Sequence, residues 1–299
     1  MTILVTGSTG TIGSQIVTRL AGQGAGIRAL TRSPEQARFP AGVVPVKGDP
    51  SDVEALRAAL AGVDTLFLLV ANVPDELTQA FVTLNLAREA GVRGVVYLSV
   101  FKSAEYADVP HFAGKHTVER MIEATGIPAT ILRPGYYIQN DLRQKDALLG
   151  HGVYAMPIGS AGVSMVDTRD IAEIAAQELL RRDRSEASLP SETIDLVGPD
   201  ILTGPALAGI WAEVLGRPVR YGGDDLEAME QRMKAFAPGW LAYDMRLMLR
   251  RYQQDGAAAT PAALERLTAL LGRPPRSYRD FAVEAAGRWA AASGPDAAP

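Results

Sequence analysis

The sequence predicts a Rossmann-type α/β fold, a doubly wound parallel sheet with a smaller, mostly helical C-terminal region. Three observations carry that prediction. Short β-branched runs alternate with helix-period patterns roughly every 25 residues through the first 135 positions, the rhythm of right-handed βαβ units. The run at 65–70 is almost continuously apolar, as a strand covered on both faces must be. A glycine-rich turn, Gly7-Ser8-Thr9-Gly10-Thr11-Ile12-Gly13, stands between the first strand and the first helix.

Taken in order, Ile3, Leu4 and Val5 form the first strand, and Ile12, Ile16, Val17 and Leu20 recur at helical spacing after the turn. Strands follow at 27–30 and 43–46. The next helix carries Val53, Leu56 and Leu60 on one face, with Ser51 three residues ahead of Glu54 as its expected cap. After the strand at 65–70 come a helix over 75–90, a strand at 94–99, a helix over 112–124 and a strand at 128–132. Beyond Arg133-Pro134-Gly135 the rhythm changes to a helical stretch ending near Gly150 and a glycine-rich passage to Gly162. A strand over 163–170 with a helix over 171–180 and a strand at 193–197 are expected to rejoin the sheet; helices fill the chain from Asp224 onward. The expected domains are therefore a nucleotide-binding domain at 1–135, to which 163–198 returns, and a substrate or lid region at 136–162 and 199–291. A flexible tail is expected at 292–299.

Composition narrows the function. The 299 residues are 47% hydrophobic and 21% charged, a globular profile. The longest apolar run, 66–71, is far short of the ~20 residues a membrane-spanning helix needs, so no membrane association is expected. The chain opens directly on a strand-like run, with no room for a signal peptide, and a cytoplasmic protein is expected. The absence of cysteine excludes disulfides, thiolate zinc sites and a cysteine nucleophile, and three histidines make a metal centre improbable. A net charge of −4 argues against nucleic-acid binding.

The glycine turn has the chemistry of a dinucleotide site. Gly7 permits the tight turn, Gly10 lets backbone N–H groups approach a pyrophosphate, and Gly13 lets the helix pack closely on the strand. Thr9, Thr11 and Ile12 complete the candidate cradle. At the end of the second strand an acid would bind the ribose 2′-hydroxyl of NAD, whereas an arginine accommodates the 2′-phosphate of NADP. Leu30-Thr31-Arg32-Ser33 offers Arg32, helped by Ser33, and favours NADP. Asp49 is either an acceptor for the adenine amino group or an ordinary turn aspartate. Ligands of such sheets lie beyond the C-terminal strand ends, which brings Leu69, Val70, Ser99, Gly135 and Tyr136 towards the nicotinamide. His111 and Lys115 share one face of the following helix. Lys115 would hold the ribose hydroxyls and lend positive charge to a reacting oxygen; His111 would donate a proton or cap the helix.

Taken together, 6–13, 90–99, His111-Phe112-Ala113-Gly114-Lys115, 125–128, Ile131-Leu132-Arg133-Pro134, Tyr137-Ile138-Gln139-Asn140, 166–172 and 271–278 resemble the NmrA-like group of atypical short-chain dehydrogenases/reductases. The resemblance covers nearly the whole chain. It implies an NADPH-dependent oxidoreductase acting on a quinone-like or conjugated carbonyl or alkene molecule. It also admits an alternative, a non-catalytic NADP(H)-sensing regulator that acts through a protein partner. Ordinary short-chain dehydrogenases pair a Ser with a Tyr-x-x-x-Lys; here Ser99 and Lys115 fit, and His111 stands in the tyrosine position. Tyrosine titrates near ~10 and histidine near ~6.5, so the proton inventory differs. Ser99, His111, Lys115 and Tyr136 are the candidate catalytic residues, with Tyr106 and Tyr137 as further possible donors. Met229, Met233, Phe236, Trp240, Tyr243, Met245 and Met248 form a stripe read as core, as a lid over a small hydrophobic or aromatic substrate, or as a homodimer surface.

Overall fold

The structure, a computed structural model, describes residues 1–292; most of the tail expected at 292–299 thus lies outside the described residues. The first stretch of chain runs through β1 (Thr2–Val5), α1 (Thr11–Leu20), β2 (Gly26–Thr31), β3 (Val43–Lys47), α2 (Val53–Leu60), β4 (Thr65–Leu68), α3 (Glu76–Glu89), β5 (Gly94–Leu98), α4 (Pro110–Thr125) and β6 (Ala129–Pro134). A 3₁₀ segment (Ile138–Gln144), α5 (Lys145–His151), β7 (Val153–Tyr154) and β8 (Val163–Ser164) follow, and then α6 (Thr168–Arg184) and β9 (Glu192–Leu196). The remainder comprises β10 (Ile201–Leu202), α7 (Gly204–Leu215), β11 (Arg220–Tyr221), α8 (Leu226–Lys234), α9 (Gly239–Gln254), α10 (Pro261–Leu271) and α11 (Tyr278–Ala292).

Two compact units divide these elements: Met1–Pro134 with Thr168–Leu196, and Gly135–Asp167 with Val197 onward. The first unit is a seven-stranded sheet in the order β3-β2-β1-β4-β5-β6-β9. Every pairing is parallel. The alternation of side chains along each strand sends Leu4, Leu66, Leu68, Val95 and Tyr97 into a core with Leu56, Leu60, Leu84, Val118 and Ile122 of α2–α4. Across the sheet α6 packs against α1. Gln15 Nε2 donates to Thr168 Oγ1 at 3.1 Å, and Arg19 donates to the Arg169 carbonyl at 3.3 Å and pairs with Glu173 at 3.7 Å.

Two local expectations are corrected. The N-cap of α2 is Asp52, whose carboxylate accepts from the amides of Glu54 and Ala55 at 3.1 Å. Ser51 instead donates to Asp49, because an aspartate one position nearer the helix reaches the first-turn amides directly. The strand expected over 163–170 is only Val163–Ser164, paired antiparallel with β10 in the second unit; Thr168 already begins α6.

In the second unit the Met and aromatic stripe divides. Met229 and Met248 are core, while Phe236, Trp240 and Tyr243 are 73%, 38% and 47% exposed. Among the described residues no helix is long and apolar enough to cross a membrane.

Candidate active site

The glycine turn leaves β1 at the centre of the sheet, where strand order reverses between β1 and β4. Gly7 takes a left-handed φ of +60°, and the Gly10 amide donates to the Gly7 carbonyl at 3.0 Å. A side chain at Gly13 would place its Cβ 2.1 Å from that same carbonyl oxygen, so only glycine lets α1 start this close to the strand. The turn is anchored from below. Ser8, fully buried, donates to the Leu30 carbonyl at 2.7 Å, and Thr6 Oγ1 donates to the carbonyls of Phe67 and Leu69. Gly7, Thr9, Gly10 and Thr11 are exposed above it. The N-cap Gly10 supplies no side-chain bond and the first turn of α1 holds no acid, which leaves its amides and the positive helix end open to an anion. The side chain of Ile12 is core, so its contribution to a ligand is its backbone amide.

Arg32 is exposed at the end of β2, with Ser33 beside it. Asp49 has its carboxyl held below the ordinary range by the Ser51 hydroxyl and amide, both donating to Oδ1, and further by the charge of Arg32. It therefore closes an Asx turn and faces the arginine at once. Leu69 covers Gly7, the contact nearest a side chain there being 3.1 Å, and Val70 is buried.

On α4 the residues singled out by sequence meet partners that spacing alone did not supply. Lys115 Nζ pairs with Glu76 Oε1, the first residue of α3, at 2.7 Å, and both side chains are 13% exposed. His111, at the second position of α4, is half-buried and stands edge-on to Phe112, ring centroids 4.6 Å apart. Ser99 is 2% exposed, and its hydroxyl donates to Glu119 Oε1 at 2.5 Å. Glu119 is fully buried and also accepts from Ser103 at 3.2 Å and from both Nε (3.0 Å) and Nη2 (2.5 Å) of Arg133. Burial pulls its pKa up, but the Arg133 fork and the Ser99 hydroxyl outweigh that, and the carboxyl sits below its ordinary range. The Ser99 hydroxyl is thus bonded to a buried carboxylate. Glu119 lies four residues after Lys115, so the same i, i+4 spacing that joined His111 to Lys115 pointed to it.

Tyr136 also meets a buried carboxylate. Gly135 and Tyr136 open the second unit. The Tyr136 hydroxyl donates to Asp141 Oδ1 at 3.2 Å, and burial followed by the Asp141 charge pushes its pKa well above the ordinary tyrosine range. Asp141 is fully buried and also accepts from Tyr154 (2.8 Å) and Tyr278 (2.6 Å) at Oδ2. Burial raises it to about 6 despite these three hydroxyls. Among the described residues no group of three or more His, Asp or Glu could hold a metal ion.

A parallel sheet in this order, with an open glycine turn at its switch point, defines a dinucleotide-binding protein of the Rossmann type. The chain belongs to the NmrA-like family, whose profile matches residues 1–258. It is 32% identical over 295 residues to an NAD(P)H azoreductase of Xenophilus azovorans, covering 97% of this chain and all of that one. It is 31% identical over 230 residues to quinone oxidoreductase 2 of Escherichia coli, covering 73% of this chain and 76% of that one. Its fold matches the crystal structure of a Citrobacter sp. triphenylmethane reductase complexed with NADP(H), with a TM-score of 0.82 at 27% identity over 95% of this chain and 99% of that one.

Proposed function

We propose that this chain is an NADPH-dependent reductase of the atypical short-chain dehydrogenase type, which delivers a hydride to a quinone-like, azo or conjugated carbonyl acceptor. The observation that carries the reading is the open turn ending at Gly13, together with exposed Arg32, in a chain alike over 97% of its length to an NAD(P)H azoreductase. When bound, NADPH supplies the hydride. The amides of residues 11–13 hold the pyrophosphate at the positive end of α1. Arg32 and Ser33 hold the 2′-phosphate, with Asp49 orienting the guanidinium. Leu69 and Val70 give the nicotinamide an apolar wall. Lys115 takes the nicotinamide ribose hydroxyls and supports negative charge growing on the acceptor.

Such acceptors delocalise the charge a hydride brings, so they place a light demand on a proton donor. With the hydroxyls of Ser99 and Tyr136 committed to Glu119 and Asp141, His111 is the donor of choice in the first unit. The acceptor is a small hydrophobic or aromatic molecule, and the setting is the cytoplasm.

The test is NADPH consumption by the purified protein against quinones, enones and azo and triphenylmethane dyes. Turnover that falls in Lys115→Ala supports the reading. Arg32→Ala should raise KM for NADPH about 10- to 100-fold, the loss of one or two charge-assisted hydrogen bonds, with little change for NADH. Tight NADPH binding without turnover across the panel would replace the enzyme with a cofactor-sensing regulator.

A further inference from the structure

Lys115 does not stand alone, and its partner has a place in the chemistry. We propose that Glu76 is a positioning residue that holds the Lys115 ammonium in its working orientation; this rests on the reading of Lys115 above.

Glu76 opens α3, directly after the loop that leaves the C-terminal end of β4, and Lys115 sits in the first half of α4, which follows β5. Both helix starts therefore lie at the ligand-binding edge of the sheet. The first turn of a helix stabilises a carboxylate, so Glu76 is a fixed anion on a rigid element. A lysine carries its ammonium on four rotatable carbons; unheld, the ammonium would sample many positions.

The same helix offers an internal contrast. At its far end Glu89 pairs with Arg57, and those side chains are 57% and 52% exposed, an ordinary surface ion pair that contributes little. The Glu76–Lys115 pair, by contrast, is 13% exposed on both sides and joins residues 39 apart. Enclosing two charges costs desolvation that their attraction barely offsets, so such a pair is a poor device for stability. What it does provide is a single location for the ammonium.

Plain electrostatics and positioning predict opposite signs. NADPH is strongly anionic, so removing the negative charge of Glu76 should tighten its binding. Loss of positioning should instead lower turnover.

The experiment compares wild type, Glu76→Gln, Glu76→Asp, Lys115→Met and the Glu76→Gln/Lys115→Met double variant. It measures NADPH Kd by fluorescence, kcat with menadione and methyl red, thermal midpoint, and labelling of Lys115 by an acylating reagent in the cofactor-free protein, read by mass spectrometry. We expect Glu76→Gln to increase Lys115 labelling several-fold and lower kcat at least tenfold, with Kd for NADPH unchanged or tighter. Glu76→Asp, which keeps the charge and shortens the arm, should fall between, and it carries the test if the glutamine variant does not fold. The double variant should be no slower than Lys115→Met, since two members of one unit are not additive. Wild-type kcat in Glu76→Gln, or additive losses in the double variant, would overturn the proposal while leaving Lys115 in place. Wild-type kcat in Lys115→Met would remove the reading of Lys115 and the proposal with it.

Discussion

Two fully buried carboxylates, one in each unit, have been solvated in opposite ways. Glu119 faces a guanidinium and two serine hydroxyls, and its pKa lies below the ordinary range in spite of burial. Asp141 accepts from three tyrosine hydroxyls, and burial lifts it to about 6. Both accept several short bonds, so the number of bonds does not decide the outcome. A forked cation returns most of what water gave, and neutral donors do not.

The sharpest way to break this contrast is to remove the ion pair. Glu119→Gln would leave Arg133 partly buried without its counter-charge, and we expect a loss of roughly 3–5 kcal/mol in chemical denaturation at neutral pH. A loss below 1 kcal/mol would mean that the guanidinium is solvated some other way.

Next in size is the pH dependence of Asp141. Its folded pKa, about 6, lies above the ordinary 3.8, so the native state holds the proton more tightly. The stability this contributes is fully present below about 3.8 and is lost as pH rises through about 6, a change on the order of 3 kcal/mol. Asp141→Asn should flatten the stability profile across that window. Glu119 acts in the reverse sense: its contribution is present above 4.5 and is lost as the medium acidifies below that value. Denaturant midpoints from pH 3 to 8 for wild type and the two amide variants would separate the two. An unchanged slope between pH 4 and 6 in Asp141→Asn would contradict the assignment.

The smallest effect should come from trimming a single neutral donor. Tyr154→Phe removes one bond to Asp141 and should destabilise by about 1 kcal/mol. Tyr278→Phe should do more, because Trp211 Nε1 donates to that hydroxyl at 3.0 Å and would lose its acceptor. Equal effects would show that the indole finds another partner.

What was legible in the sequence was local. The alternation that builds β1–β6, the glycine turn and the arginine at the end of β2 are all written in spacings of a few residues. The α2 cap failed by one position because Ser51 and Asp52 are both capping residues, and only geometry chooses between them. The roles of Ser99, Lys115 and Tyr136 could not be read in full, because each depends on a carboxylate elsewhere: Glu119, Glu76 and Asp141. Asp141 meets Tyr278 across 137 positions, a separation over which no periodicity speaks. The i, i+8 spacing from His111 along α4 reaches Glu119, and Arg133, a charged residue at the end of a buried strand, demands such a partner.

The route of the chain also matters while the protein is being made. The helix that opens with the glycine turn is flanked by α6, whose first residue comes 34 positions after the chain has left the sheet at Pro134. A chain that has reached only Pro134 lacks the partner of the β6 edge and the helix that covers this flank of α1. Those gaps close only when α6 and β9 emerge, with Leu196 as the last residue of the sheet. The helix that opens with the glycine turn is thus held by residues about 150 positions further along the chain.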